Sequence, residues 1–360
     1  MRRLAPTALA PALAPALALA LVAGACGGDD SSTDGAAADD PTTTSTTAVA
    51  LDPAAVEPRP SAGCGAGPTV AAGETIETVE AGDRAREYFQ HVPPGHDGTT
   101  PVPVVIDFHG YAEGGQIHVL HSQLGRFGDE QGFVTISPDS GEQPPRWNTA
   151  LDSRDVAFFG DLLDQVEADL CLDTARVFVT GLSNGAFMTS SLACTYSERI
   201  AAVAPVAGLR DPEGCHPERP VPVIAFHGTE DTFVAFDGGL GDSVAALPAP
   251  GGGTLGDVAD EPPELADGPS LPEIAAVWAE RGGCAAELQA EPVADDVELQ
   301  AGVDCPEGID VQLYVVDGGG HTWPGSEFDT RIEPIVGPVT MSISANELMW
   351  EFFQEHPLPA

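Results

Sequence analysis

The pentapeptide Gly181-Leu182-Ser183-Asn184-Gly185, reached from the apolar run Val177-Phe178-Val179-Thr180, constrains this chain more than any other feature. A short apolar run of that kind reads as a buried strand. The glycines on either side of the serine permit a sharp strand-to-helix turn that lifts the hydroxyl clear of the sheet. Ser183 is therefore a candidate nucleophile. A glycine-rich chain also contains such pentapeptides by accident, and a turn serine is the bland alternative, so the rest of the sequence has to decide.

Two acid–base residues follow predicted strands further along. Val221-Pro222-Val223-Ile224-Ala225-Phe226 leads into His227-Gly228-Thr229-Glu230-Asp231, and Val311-Gln312-Leu313-Tyr314-Val315-Val316 leads into Asp317-Gly318-Gly319-Gly320-His321. The order Ser, Asp, His is that of the α/β-hydrolases and differs from the chymotrypsin and subtilisin orders. A serine hydroxyl is a poor nucleophile until an imidazole takes its proton, and the imidazole works well only when a carboxylate fixes its tautomer. His321 is the candidate base and Asp231 the candidate orienter, with Glu230 as the neighbouring alternative. An oxyanion also needs backbone donors. The amide of Asn184 is one candidate. Tyr111 is the other, because Val104-Val105-Ile106-Asp107-Phe108 runs into His109-Gly110-Tyr111 and Gly110 lets that backbone approach. Taken singly, His321 reads as a surface histidine and Asp231 as a turn former; the four features in one order make a serine hydrolase the stronger reading.

The ends carry a different message. Arg2-Arg3 followed by an Ala/Leu run without acids predicts a secretory signal over residues 1–25. Leu21-Val22-Ala23-Gly24-Ala25-Cys26 resembles a bacterial lipoprotein box, in which Cys26 is acylated and becomes the mature N-terminus; ordinary cleavage after Ala25 is the alternative. Residues 26–60 are poor in apolar side chains and predict a disordered tether. The remaining stretch, 61–357, is long enough for one α/β catalytic domain. The expected location is the outer face of the bacterial cell membrane, with the lipid as the sole membrane attachment.

The formal charge of −42 argues against nucleic acid as a partner. All 14 strong bases are arginine, and the lack of lysine excludes Schiff-base chemistry and a Ser-Lys pair. Six cysteines follow Cys26. Nearness in sequence favours Cys194–Cys215 and Cys284–Cys305, which leaves Cys64 for Cys171. No C-x-x-C pair supports zinc, and no cofactor is expected. His118 and His121, with Glu113 nearby, could be taken for a metal site; one face of a surface helix is the preferred explanation.

Apolar runs predict an antiparallel pair near Thr75–Val79 and Arg86–His91. Strands then follow near Val102–Phe108, Phe133–Ser137, Val177–Thr180, Ala201–Val206, Val221–Phe226 and Val311–Val316. These eight strands, alternating with helices, predict an α/β fold with a mostly parallel twisted sheet covered on both faces. The stretch 237–268, rich in Gly, Pro and acids, predicts an insertion beside the site, a solvated loop in preference to a lid. Trp147 and Trp323 lie in loops at the carboxyl end of the sheet and, with His109 and Gly110, are candidate substrate contacts; core packing is the competing explanation for both tryptophans.

Gly181-Leu182-Ser183-Asn184-Gly185-Ala186, His227-Gly228-Thr229-Glu230-Asp231 and Gly319-Gly320-His321-Thr322-Trp323-Pro324-Gly325 resemble the nucleophile, acid and base motifs of a secreted esterase family. That family groups polyhydroxybutyrate depolymerases with feruloyl and acetyl-xylan esterases, and the likeness to its actinobacterial lipoprotein members runs from about Cys64 to Phe353. The resemblance implies Ser183, Asp231 and His321 as triad and Tyr111 and Asn184 as oxyanion donors. Ala186 stands where Gly is common, and Tyr111-Ala112-Glu113 is unlike the Cys-containing loop of many polymer depolymerases. The chain stops soon after its final predicted helix, without the granule-binding domain that such depolymerases carry. Soluble aryl or short hydroxyacyl esters, feruloyl-type first, are thus expected ahead of polyhydroxybutyrate. A serine peptidase of the same fold and a non-catalytic envelope-binding protein are the rival expectations.

Overall fold

In the computed structural model, which describes residues 56–66, 70–82, 84–258 and 268–359, one ten-stranded sheet organises the molecule. Its strands are β1 (Gly73–Ala81), β2 (Arg84–Val92), β3 (Val102–Phe108), β4 (Val134–Pro138), β5 (Leu172–Leu182), β6 (Ala202–Val206), β7 (Val223–Gly228), β8 (Leu288–Ala294), β9 (Val297–Gly302) and β10 (Val311–Val316). They lie in the order β1-β2-β4-β3-β5-β6-β7-β10-β9-β8. The six strands from β4 to β10 are parallel, and an antiparallel hairpin extends each edge. Six parallel strands need both faces covered, which is why β4, β6 and β7 are buried along their whole length.

The expected eight strands are all present, and the β8–β9 hairpin makes ten. Its sequence, Leu288–Gly302, is mostly half-buried or exposed, so the apolar signal that marks a buried strand is missing from it. The helices that matter for the site are α1 (Gly115–Ser122), α2 (Leu124–Gln131), α3 (Arg154–Asp169) and α4 (Asn184–Thr195). α3 buries Val156, Phe159, Leu162, Leu163 and Val166, the stripe its spacing predicts, and Ser153 caps it by accepting from the Val156 amide. Four more follow: α5 (Leu255–Val258), α6 (Leu271–Gly282), α7 (Glu333–Val336) and α8 (Ala345–Glu355).

The chain runs β3 to β4 on one side and then returns to place β5 on the other side of β3. The direction of winding therefore reverses between β3 and β5, and ligands in open α/β sheets bind at the carboxyl ends of the strands at such a reversal. Three disulfides, Cys64–Cys171, Cys194–Cys215 and Cys284–Cys305, pair as the sequence spacing predicts. The proposed signal over residues 1–25 and Cys26 lie outside the described residues, as does nearly all of the predicted tether and part of the 237–268 insertion.

Candidate active site

β5 ends at Leu182 and α4 begins at Asn184, leaving Ser183 alone at the corner with φ 58° and ψ −119°. A non-glycine residue rarely holds positive φ, and the conformation persists here because both flanking elements are fixed. A Cβ on Gly185 would lie 2.0 Å from the Phe108 carbonyl oxygen, so only glycine lets the first turn of α4 close against the end of β3. That approach brings the serine corner beside His109-Gly110-Tyr111. The amides of Tyr111 and Asn184 have no acceptor among the described residues, which leaves both donors available.

Asp231 and His321 follow β7 and β10, which are neighbours in the sheet. His321 Nδ1 donates to Asp231 Oδ2 at 2.7 Å, and the amides of Phe233 and Val234 donate to Asp231 Oδ1 at 2.8 and 3.0 Å. Glu230, the alternative orienter, is exposed and its amide donates to Gly319. Burial works against an imidazolium at His321, but the Asp231 carboxylate and its hydrogen bond, with Glu113 and Asp329 further off, outweigh it and raise its pKa. Burial likewise pushes Asp231 up, and His321 and His227 with the amide donors pull it below the ordinary carboxylate value. The ring of His321 packs on Phe233, centroids 5.0 Å apart.

Ser183 and His321 line one cavity of about 540 Å³ together with Gly110, Tyr111 and Asn184. The carboxyl ends of β3, β5, β7 and β10 thus supply a hydroxyl, an imidazole held by a carboxylate, and two free amides around a single space. A larger cleft of about 930 Å³, lined by Arg84, Arg86, Arg154 and Trp147 among others, holds none of these groups.

No family model matches the chain. It is 26% identical over 246 residues to feruloyl esterase B of Piromyces equi, covering 66% of this chain but 42% of that protein. To the probable feruloyl esterase C of Aspergillus clavatus it is 31% identical over 199 residues, covering 53% of this chain and 69% of that protein. The chain belongs to the feruloyl-esterase-like family of α/β-hydrolases. It spans less than half the length of the Piromyces protein and 64% of feruloyl esterase D of Neurospora crassa. Among solved structures, the acetyl xylan esterase of Aspergillus awamori is 19% identical, with TM-score 0.49 over 72% of this chain and 98% of that one.

Within this feruloyl-esterase-like chain, three of the expected substrate contacts need correction. Trp147 is 3% exposed and Trp323 1%, and neither lines the cavity. The indole of Trp147 packs against Phe108 and Phe158 and donates to the His109 carbonyl at 3.0 Å; its backbone exchanges two hydrogen bonds with the Asn184 side chain. It ties the His109–Tyr111 loop to the start of α4. Trp323 donates to Asn346 in α8. His109 is fully buried: Nδ1 donates to the Gly110 carbonyl and Nε2 accepts from the Ser140 amide, and burial lowers its pKa. A loop position at the carboxyl end of the sheet does not say which way a side chain turns, and these three turn into the core. Gly110 does face the cavity.

The helix α1 is the second correction. Its buried residues are Gly115, His118, His121 and Ser122, while Ile117 and Leu120 are exposed. Among the described residues no cluster of His, Cys, Asp or Glu is arranged to hold a metal ion; the two histidines meet carboxylates instead. The insertion supplies the third. Leu240, Val244, Leu247 and Leu255 from its described part line the cavity, so this segment is a wall of the site and not only a solvated loop. Sequence reading also missed Phe187, Phe233 and Ile335, further apolar walls, for which nothing local in the sequence is a signal.

Proposed function

We propose that this chain is a serine esterase that hydrolyses carboxylic esters of aryl or short hydroxyacyl type, feruloyl-type esters first. The observation that carries the reading is the His321–Asp231 hydrogen bond facing the same cavity as the strained Ser183 corner. In this reading Ser183 Oγ attacks the ester carbonyl carbon while its proton passes to His321 Nε2. The oxyanion accepts from the Tyr111 and Asn184 amides. Collapse breaks the bond to the alcohol oxygen, which takes the proton from His321. Water then attacks the acyl-serine, gives its proton to His321, and the acid leaves as Ser183 regains its hydrogen.

Asp231 keeps the Nδ1–H tautomer that this sequence of transfers requires. The apolar walls formed by Phe187, Phe233, Val244, Leu255 and Ile335 support an aryl or alkyl acyl group next to the serine. Relatives named feruloyl esterases support the phenolic branch over polyhydroxybutyrate. Export with acylation at Cys26 belongs to the same proposal, and three disulfides support an oxidising compartment.

The test is hydrolysis of methyl ferulate, matched short-chain aryl esters, a hydroxybutyrate oligomer and a matched aryl amide by the full-length protein and by Ser183→Ala. Serine-dependent turnover led by methyl ferulate is the expected result. Preference for the oligomer would move the substrate to the polyester branch, preference for the amide to a peptidase. Turnover by none of them, in folded protein, would overturn the esterase.

A further inference from the structure

A row of buried ionisable groups runs from the oxyanion loop to the loop of the base. His118 Nε2 donates to Asp107 Oδ1 at 2.6 Å, and its Nδ1 faces Glu113 Oε1 at 3.2 Å. His121 Nε2 lies 3.3 Å from the same Glu113 oxygen, and its Nδ1 donates to Asp329 Oδ1 at 2.6 Å. At one end Glu113 Oε2 accepts the Gly110 amide at 2.6 Å; at the other, Asp329 Oδ2 accepts the Trp323 amide at 2.6 Å. Gly110 precedes the Tyr111 donor by one residue, and Trp323 follows His321 by two.

We propose that this row is a strut that sets the oxyanion loop against the base loop, with Glu113 as its positioning residue. The inference rests on the serine-esterase reading above. Glu113 holds the Gly110 amide, which orients the next peptide and hence the Tyr111 amide. A carboxylate so close to an oxyanion would oppose it if unbalanced. Here burial pushes Glu113 up, but His118 with its hydrogen bond, then His121 and His109, outweigh that and hold it at about 2. Burial disfavours the His118 cation, but Asp107 and Glu113 outweigh it and hold it up at about 10. The Glu113 charge thus lies against the His118 cation.

An amide cannot replace this carboxylate. The Gly110 N–H and the nitrogens of His118 and His121 approach Glu113 on two oxygens, whereas glutamine offers one acceptor and a donor that must face one of them. The charged and titratable groups that act on His321 are His227 in β7, Asp231 from the loop after it, Glu113 from the oxyanion loop and Asp329. Removing the Glu113 charge leaves Asp231 in place and takes away one of the influences that raise His321.

The experiment measures kcat, KM and the pH profile of Glu113→Gln and Asp329→Asn in the full-length protein. Rates are expressed per serine labelled by a fluorophosphonate, so that folded sites alone are counted. Glu113→Gln should lower kcat about ten- to a hundredfold with KM within about twofold of wild type, the pattern of a misplaced catalytic group. Its acid limb should move to lower pH, and Asp329→Asn should move the same way. Wild-type kcat, or an acid limb that stays in place, in Glu113→Gln overturns the strut; if that variant yields no labelled sites, the same two readings of Asp329→Asn decide. A Ser183→Ala control that retains turnover would instead overturn the esterase reading itself, whatever Glu113 does.

Discussion

Ser183 combines a strained backbone with a side chain that has no other structural duty visible in its contacts, so its removal should spare the fold. Ser183→Ala is expected to lower kcat by at least about 10⁴-fold, leaving the residual rate that binding and oxyanion donors alone supply. Steady-state rates with a chromogenic aryl ester, alongside a melting curve within a few degrees of wild type, check this. In the proposed mechanism His321 must be neutral to accept the serine proton. Because its pKa is raised, the neutral fraction is lost on acidification from a higher pH than an ordinary imidazole of roughly 6.5 would give. The acid limb of kcat/KM should therefore have its midpoint above that value, and a midpoint at or below it would show that Asp231 does not act on the base as the geometry implies.

His118 gives a second pH dependence at the same scale, this time in stability. Its folded pKa of about 10 exceeds the ordinary 6.5, so its contribution is fully present below about 6.5 and is lost as pH rises toward 10. Chemical denaturation between pH 6 and 10 should show wild type losing stability over this window more steeply than His118→Asn. Parallel curves would remove His118 as the cause.

Among the elements, the described part of the insertion after β7 is tied to the loop after β3, the proposed oxyanion loop, by a bond from the Tyr111 hydroxyl to the Pro248 carbonyl at 2.9 Å. Tyr111 thus offers its amide to the site and its ring to the wall. Tyr111→Phe keeps the amide and loses the tether, and a neutral hydrogen bond is worth about 0.5–1.5 kcal/mol. KM for aryl esters should rise by up to about tenfold while kcat stays within twofold. A fall in kcat with KM unchanged would instead place the effect in the oxyanion loop. The helix α1 shows why such features elude a linear reading. Periodicity identifies a helix with two faces, but the rule that polar residues face water puts His118 and His121 outside. Only Asp107 from β3, Glu113 from the preceding loop and Asp329 from a segment some 200 residues on give them partners that make burial tolerable. The β8–β9 hairpin failed for the opposite reason. Its residues are too exposed to write an apolar signal.

For the molecule as a whole, the longest covalent constraint is Cys64–Cys171, which closes 107 residues and ties the segment before β1 to the entry of β5. A loop of that length restricts the unfolded chain by on the order of 4–5 kcal/mol in the entropic model. Cys64→Ser with Cys171→Ser should lower the melting temperature by several degrees and leave kcat near wild type, since neither cysteine approaches the cavity. Loss of activity at a temperature where the variant is still folded would contradict that separation.

The sequence by itself determined the fold class, the chain order of Ser183, Asp231 and His321, the strand ends they follow, and the cysteine pairs. Each of these is written locally: buried parallel strands are continuous apolar runs, a sharp elbow requires glycines at fixed offsets, and cysteines close in sequence meet readily. What only the tertiary structure decided is which way side chains turn. Trp147 and Trp323 face the core, Phe187 and Phe233 face the cavity, and Glu113 lies between two histidines that sequence reading placed on a surface. Those outcomes depend on neighbours brought together across the sheet, and a burial preference summed along one segment contains no information about them.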